Sequence, residues 1–94
     1  MRPLDGRRLW FVGIGGAGLS AYARLANAWG AEVGGWDCVR TPYLDTLDGI
    51  RVEIAAEPVV PEGWEVVVSS AYPGVNGRTR AEFLAELVAL RRSS

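Results

Sequence analysis

The feature that most constrains the fold is a run of glycines between two apolar segments. Residues 11–25 read FVGIGGAGLSAYARL, with four glycines within six positions. The spacing Gly13-x-Gly15-x-x-Gly18 matches a pattern in which a strand turns into a helix around nucleotide phosphates. There Gly13 allows the tight turn, Gly15 leaves the backbone bare for a pyrophosphate, and Gly18 lets the helix approach the sheet. The alternative is a glycine-rich turn used only for packing.

The rest of the chain predicts strands that alternate with helices. Apolar, β-prone runs predict four strands, at residues 8–13, 31–37, 50–54 and 65–70. Helical spacing and capping patterns predict three helices: residues 18–29, a short one between Thr41 and Gly49, and one that begins at the capping box of residues 79–82. Residues 88–92 either continue the last helix or form a fifth strand.

Each predicted helix has an expected buried face. The side chains expected to face inward are Leu19, Tyr22, Ala26 and Trp29 in the first helix, Tyr43, Leu44 and Leu47 in the second, and Leu84, Leu87 and Val88 in the third. Ser20 is expected on the opposite, polar side of the first helix. Thr41 is the expected N-cap of the short helix.

This order predicts an α/β, Rossmann-like fold formed by residues 1–94 as a single domain. We expect a doubly wound parallel sheet in the order 3-2-1-4, with a possible fifth strand after the fourth and helices on both faces. In such a sheet, ligands bind beyond the carboxyl ends of the strands, where the strand order reverses. That point lies between the first and fourth strands, so the glycine loop should face residues 69–74, SSAYPG, across one crevice.

Four polar side chains at strand ends are candidates for binding. Asp37 can accept hydrogen bonds from ribose hydroxyls or from a base N–H; alternatively it is a turn residue or caps the next helix. Arg40 can pair with Asp37, cover a base or simply be solvated. Ser69 and Ser70 can donate to phosphate or sugar, or they are ordinary turn serines.

Composition excludes several kinds of chemistry. All ten basic residues are Arg, and there is no Lys or His, so a Walker-type phosphate loop, a Schiff base and a His base or metal ligand are excluded. The single cysteine, Cys38, precludes an internal disulfide and is expected to be inert. A net charge of −1 gives no reason to expect nucleic acid or a membrane as partner. No catalytic residue and no metal site are predicted, and Arg78 and Arg80 are interpreted as a solvated helix start.

From the residues alone, three classes of protein remain open. The first is a module of an oxidoreductase that binds NAD(P) or FAD. The second is a nucleotide-sugar-binding module of an enzyme whose chemistry lies elsewhere. The third is a ligand-sensing regulatory domain. The glycine pattern by itself does not separate them.

Four stretches in order carry a resemblance: FVGIGGAGLSAYARL, GAEVGGWD, TPYLDTL and VVVSSAYPGVN. They resemble the N-terminal domain of the Mur ligases, the ligase family of peptidoglycan synthesis. The glycine loop with its following serine and the Ser-Ser-Ala after the fourth strand are two independent parts of this likeness. The chain departs from the family at Leu19, where Met is usual, and at Gly77, where Pro is usual.

The resemblance implies that the domain binds the UDP part of UDP-N-acetylmuramate. The loop of residues 15–20 would hold the diphosphate, Asp37 the uridine side, and residues 69–71 the sugar-phosphate side. The implied binding set is Gly13, Gly15, Gly16, Ala17, Gly18, Leu19, Ser20, Asp37, Arg40, Ser69, Ser70 and Ala71.

The resemblance also implies what the full enzyme does. It would be a cytoplasmic ligase for cell wall biogenesis that uses ATP and Mg²⁺ to join L-alanine to UDP-N-acetylmuramate. The ATPase and C-terminal domains of that family are not among these 94 residues. We therefore expect this chain alone to bind no cofactor and to be inactive, whether or not the native gene ends at Ser94.

Overall fold

The computed structural model describes residues 1–93 of the chain, and its strands form one parallel sheet. The elements are β1 (Arg8–Val12), α1 (Ala17–Ala28), β2 (Glu32–Asp37), a 3-10 helix (Pro42–Thr46), β3 (Arg51–Ile54), β4 (Glu65–Val68), β5 (Arg78–Thr79) and α2 (Arg80–Ser93). The strand order is β3-β2-β1-β4-β5, and all neighbouring strands are parallel. The predicted α/β fold and its strand order are confirmed.

The fifth strand, β5, lies at a position where no strand was predicted. Arg78 and Thr79 pair with Val67 and Val68 of β4, and they add a strand of two residues at this edge of the sheet. The possibility that residues 88–92 form this strand is wrong, since they belong to α2. None of the helices within residues 1–93 is long and apolar enough to cross a membrane.

The two faces of the sheet are covered differently. On the face that carries Phe11 and Val67, α1, α2 and the 3-10 helix contribute to a single apolar cluster. Phe83 of α2 meets Phe11 edge to face, with 5.7 Å between ring centroids. The opposite face carries Trp10 and Trp36 and is covered by the β3–β4 connection. The expectation of helices on both faces is therefore wrong for the described residues.

The direction of the chain explains this asymmetry. Right-handed crossovers in one direction along a sheet lie on one face, and a crossover in the other direction lies on the opposite face. The β3–β4 connection runs back over β2 and β1, and it contains prolines at 58 and 61 and no helix. Two indole N–H groups hold it to the sheet: Trp10 donates to the carbonyl of Val59 at 2.7 Å and Trp36 to that of Ala55 at 3.1 Å.

The buried face of α2 differs from the prediction. Phe83 and Leu87 are buried, whereas Leu84 and Val88 are each 44% exposed. Phe83 determines the rotation of the helix, because its ring lies between Phe11 and Tyr22, at 5.7 and 6.2 Å. Thus one aromatic contact outweighs the face suggested by the aliphatic spacing.

Two predictions for the other helices also fail in part. Ser20, expected on the polar side of α1, is buried, and its hydroxyl donates to the carbonyl of Ala17 at 3.1 Å. In the 3-10 helix, Leu44 and Leu47 are buried as expected, but Tyr43 is half exposed. Thr41 occupies the N-cap position of this helix as predicted, but its hydroxyl makes no capping bond because it donates to the carbonyl of Gly15.

Candidate functional site

The glycine loop begins with a sharp turn at the end of β1. Gly13 has φ +89°, a left-handed conformation that favours glycine, and its N–H donates to the carbonyl of Trp36 at 2.8 Å. A Cβ on Gly13 would lie 2.8 Å from the Cβ of Ser69. Gly13 is therefore required both by the turn and by the close approach of the segment that follows β4.

The start of α1 has no side-chain cap. Gly16 is the N-cap in an extended conformation, and the first intrahelical bond runs from the N–H of Ser20 to the carbonyl of Gly16 at 2.9 Å. The N–H groups of Ala17, Gly18 and Leu19 therefore have no intrahelical acceptor. No acidic residue lies in the first turn. Such a helix start carries about half a unit of positive charge and attracts anions.

A cavity of about 780 Å³ opens in front of this helix start. One wall is formed by Gly13 and residues 16–19, and the other by Val68 and the residues that follow β4. Ser69 and Ser70 lie in the second wall. The prediction that the glycine loop and the segment after the fourth strand face each other across one crevice is confirmed.

Gly15 lies outside this cavity, and its neighbours give it a different role. A Cβ on Gly15 would lie 2.7 Å from Oδ2 of Asp37 and 3.1 Å from Oγ1 of Thr41. The bare backbone at this position thus makes room for two side chains of the protein. The interpretation that Gly15 leaves space for a pyrophosphate is wrong in that respect.

Asp37 faces the loop. Its side chain is buried; Oδ2 accepts the N–H of Gly15 at 2.8 Å, and Oδ1 accepts the N–H of Cys38 at 2.7 Å. It forms neither an ion pair with Arg40 nor part of the cavity wall within the described residues. Of the alternatives predicted for Asp37, a turn residue agrees best, because Oδ1 bonds to the next residue, Cys38. In addition, Oδ2 binds the glycine loop at Gly15.

The remaining predicted residues divide into two that line the cavity, Ser69 and Ser70, and three that do not. Ser20 is buried behind the helix start. Arg40 and Ala71 are exposed and do not line the cavity. The Ser69 hydroxyl accepts the N–H of Ala71 at 3.2 Å, while Ser70 is exposed at the cavity wall.

Arg80 is a candidate binding residue that the sequence interpretation missed. Its side chain lines the cavity, and its Nη1 atom lies 2.6 Å from where a Cβ on Gly18 would be. Gly18 therefore accommodates a guanidinium and not a close helix–sheet contact. Among residues 1–93, no carboxylate pairs with Arg80. The sequence signal that could have identified Arg80 is the capping box of residues 79–82, which places Arg80 at the start of a helix. Its position at the cavity was not predicted, because the strand before that helix was not recognised.

Cys38 and Tyr72 meet beside the loop. The Cys38 thiol and the Tyr72 hydroxyl lie 3.3 Å apart. The hydrogen bond with Cys38, together with burial and the negative charge of Asp37, raises the pKa of Tyr72 to about 12. Tyr72 is thus a neutral phenol at physiological pH, and its ring packs edge to face on Trp36 at 5.0 Å.

The parallel sheet, its strand order and the glycine loop define a Rossmann-like α/β domain. No protein-family model matches the chain. Individual relatives do: it is 40% identical to the UDP-N-acetylmuramate–L-alanine ligase of Kineococcus radiotolerans, over 73% of this chain and 16% of that protein. It is 34% identical to the ligase of that name from Halorhodospira halophila (95% and 23%) and 37% identical to the one from Burkholderia lata (92% and 22%).

By these matches the chain is similar, over most of its own length, to UDP-N-acetylmuramate–L-alanine ligases, and the predicted resemblance is confirmed. It spans only about a fifth of the length of these relatives. The match to the Halorhodospira protein runs over 111 aligned positions, although this chain has 94 residues. That relative therefore has residues within the matched region that this chain lacks.

Proposed function

We propose that this chain binds the UDP part of UDP-N-acetylmuramate for a ligase that adds L-alanine to that substrate. The observation that carries the proposal is the uncapped start of α1, which opens into a cavity of about 780 Å³. The Arg80 guanidinium lies beside it, and no carboxylate among the described residues pairs with that guanidinium. Backbone N–H groups and a guanidinium are the donors that a diphosphate requires. The names of the relatives supply the nucleotide sugar.

In this proposal each wall of the cavity has its own task. The N–H groups of residues 17–19 donate to the diphosphate, and the Arg80 guanidinium, which lies against Gly18, neutralises part of its charge from beside the helix start. Ser69 and Ser70 offer hydroxyl groups on the opposite wall, where the sugar would lie. These groups bind and orient; none of them takes part in bond formation.

The bond-forming steps belong to the proposed parent ligase. There ATP phosphorylates the muramoyl carboxylate and leaves as ADP, and the amine of L-alanine then attacks the acyl phosphate and expels inorganic phosphate. Mg²⁺ would accompany the ATP. Within residues 1–93 no group of three or more acidic, His or Cys side chains could hold a metal ion. We therefore place no step of the metal chemistry on these residues.

A titration of the purified chain tests the proposal. We expect UDP and UDP-N-acetylmuramate to bind more tightly than NAD⁺, and NMR shifts to appear at residues 16–19. Arg80→Ala should weaken UDP binding about tenfold, as expected for the loss of a charge-assisted hydrogen bond.

Arg24→Ala is the matched control, because Arg24 is also exposed and unpaired among the described residues but lies outside the cavity. It should leave UDP affinity unchanged. Tighter binding of NAD⁺ than of UDP would overturn the proposal in favour of a dinucleotide module. Equal effects of the two arginine substitutions would mean that the binding is nonspecific charge attraction.

A further inference from the structure

The N–H and carbonyl groups of Gly15 are held by two side chains from one segment, which runs from the end of β2 to the start of the 3-10 helix. Asp37, at the end of β2, accepts the Gly15 N–H at 2.8 Å. Thr41, which precedes the 3-10 helix, donates its hydroxyl to the Gly15 carbonyl at 2.7 Å. These two side chains, here called the Gly15 clamp, therefore bind both polar groups of a single glycine residue.

The clamp closes tightly because residue 15 has no side chain. A Cβ there would lie within 3.1 Å of both Asp37 and Thr41. Asp37 is only 7% exposed, and its second oxygen already accepts the N–H of Cys38. The carboxylate thus faces the inside of the loop and is not among the residues that line the cavity.

Ordering this loop has a large cost in conformational entropy because the loop is rich in glycine. Each glycine loses more backbone freedom on fixation than any other residue, and the loop has three glycines within residues 13–16. A loop that is ordered only when the ligand arrives subtracts that cost from the affinity, whereas one ordered on folding does not. The clamp fixes the residue directly before Gly16 and Ala17, where the free N–H groups begin.

We propose that Asp37 and Thr41 are positioning residues that hold the glycine loop in its anion-binding shape. Asp37 then acts on the ligand through Gly15 and does not touch the nucleoside. This inference rests on the proposed function, and it replaces the uridine contact that the family resemblance implies for Asp37. It makes the binding of any diphosphate, with or without a nucleoside, depend on the clamp.

The test compares UDP with inorganic pyrophosphate, which has no nucleoside. Thr41→Val removes the hydroxyl and Asp37→Asn removes one of two acceptors; each should weaken both probes by the same factor, about three- to tenfold. Thr41→Ser should restore affinity. Thr46→Val is the matched control, because that hydroxyl bonds only to the carbonyl of Tyr43 in its own turn.

Three results would overturn the inference. If Asp37→Asn weakens UDP but not pyrophosphate, Asp37 contacts the nucleoside. If it strengthens pyrophosphate binding, repulsion by the carboxylate outweighs any positioning. If Thr41→Val changes neither probe, the clamp does not shape the loop. Should Asp37→Asn fail to fold, Thr41→Val with the Thr41→Ser rescue still decides.

Amide hydrogen exchange in the unliganded chain tests the Gly15 clamp independently of the proposed function. The Gly15 amide should exchange slowly in the wild type and faster in both clamp variants, while the amide of Ser20 is unchanged. If the wild type binds neither probe, the proposed function fails, but this measurement still tests the clamp. Rapid exchange of Gly15 in the wild type would refute it.

Discussion

Three glycines of the same loop differ in what a side chain would meet at their positions. Gly13 adopts a left-handed turn. Gly15 makes room for the Asp37 carboxylate, whereas a Cβ on Gly16 would find its nearest neighbour, the carbonyl oxygen of Gly13, at 3.5 Å. The spacing predicted where the loop lies, because strand, turn and helix are local properties of the sequence. It did not predict what each glycine accommodates, since that depends on residues more than twenty positions away.

Serine introduced at two adjacent glycines should therefore give opposite results. Gly15→Ser places a Cβ 2.7 Å from the buried Asp37 carboxylate and should lower the unfolding free energy by about 1–3 kcal/mol. Gly16→Ser has room, and serine is a preferred N-cap, so stability should be unchanged or higher by a few tenths of a kcal/mol. Urea denaturation followed by circular dichroism measures both.

The same pair tests the use of the helix start. A serine N-cap at residue 16 accepts the N–H of Gly18 or Leu19, which the proposal assigns to the diphosphate. Gly16→Ser should thus weaken pyrophosphate binding without unfolding the protein. If Gly16→Ser kept full affinity, the uncapped N–H groups would not be the anion site.

At the level of elements, features that depend on neighbouring residues in the sequence were predicted correctly. Features that depend on contacts between distant segments were not. The capping box before α2 is confirmed: Thr79 and Glu82 exchange hydrogen bonds of 2.9 and 3.1 Å. Strand β5 was missed because two residues carry no periodicity. The buried face of α2 was misjudged because Phe83 packs on Phe11, a contact that spacing within the helix does not encode.

The missed strand also takes part in an ion-pair network. Glu65 of β4 accepts from Arg7 at 2.6 Å and from Arg78 of β5 at 3.0 Å, and both arginines also pair with Glu86 of α2. The hydrogen bond from Arg7 is the main cause that lowers the pKa of Glu65 from its ordinary value of 4.5. The network joins β4, β5 and α2 to the residue that precedes β1.

The lowered pKa of Glu65 predicts a pH dependence of stability. A carboxylate with a lower pKa in the folded state stabilises the fold above its unfolded-state pKa, and that contribution is lost as pH falls through the folded-state value. Glu65→Gln should therefore cost stability at pH 7, and progressively less as the pH falls below the ordinary carboxyl pKa of 4.5. Because these side chains are a quarter to two fifths exposed, the effect at pH 7 should be about 1 kcal/mol or less.

Urea midpoints of wild type and variant from pH 3 to pH 7 measure this difference. Glu32→Gln is the control, because Glu32 pairs with Arg8 in a more exposed position, where the two side chains are 62% and 48% exposed. It should change little at any pH. A Glu65→Gln difference that stays constant with pH would show that the carboxylate charge contributes nothing.

At the scale of the whole molecule, one crevice brings together the start of α1 and the two serines after β4, while Gly15, Asp37 and Arg40 lie outside it. The crevice was predictable, because parallel strands order their carboxyl ends at a common edge and the order reverses at β1 and β4. The inward turn of Asp37 and the position of Arg80 were not predictable, since each depends on a contact across the fold.

The start of only one described α-helix is free to bind a diphosphate, and this limits what the chain can do with ATP. Of the two α-helices described, α1 begins uncapped at the cavity, while the start of α2 is occupied by Thr79 and Glu82. One uncapped start offers one diphosphate site, and in the proposed function UDP takes it. We therefore expect no ATP hydrolysis and no joining of L-alanine to UDP-N-acetylmuramate by the purified chain. A phosphate-release assay with ATP, Mg²⁺ and both substrates measures this against a mock preparation. Turnover above the mock that falls in Arg80→Ala but not in Arg24→Ala would show that the cavity itself handles ATP, and the assignment of this site to UDP would be wrong.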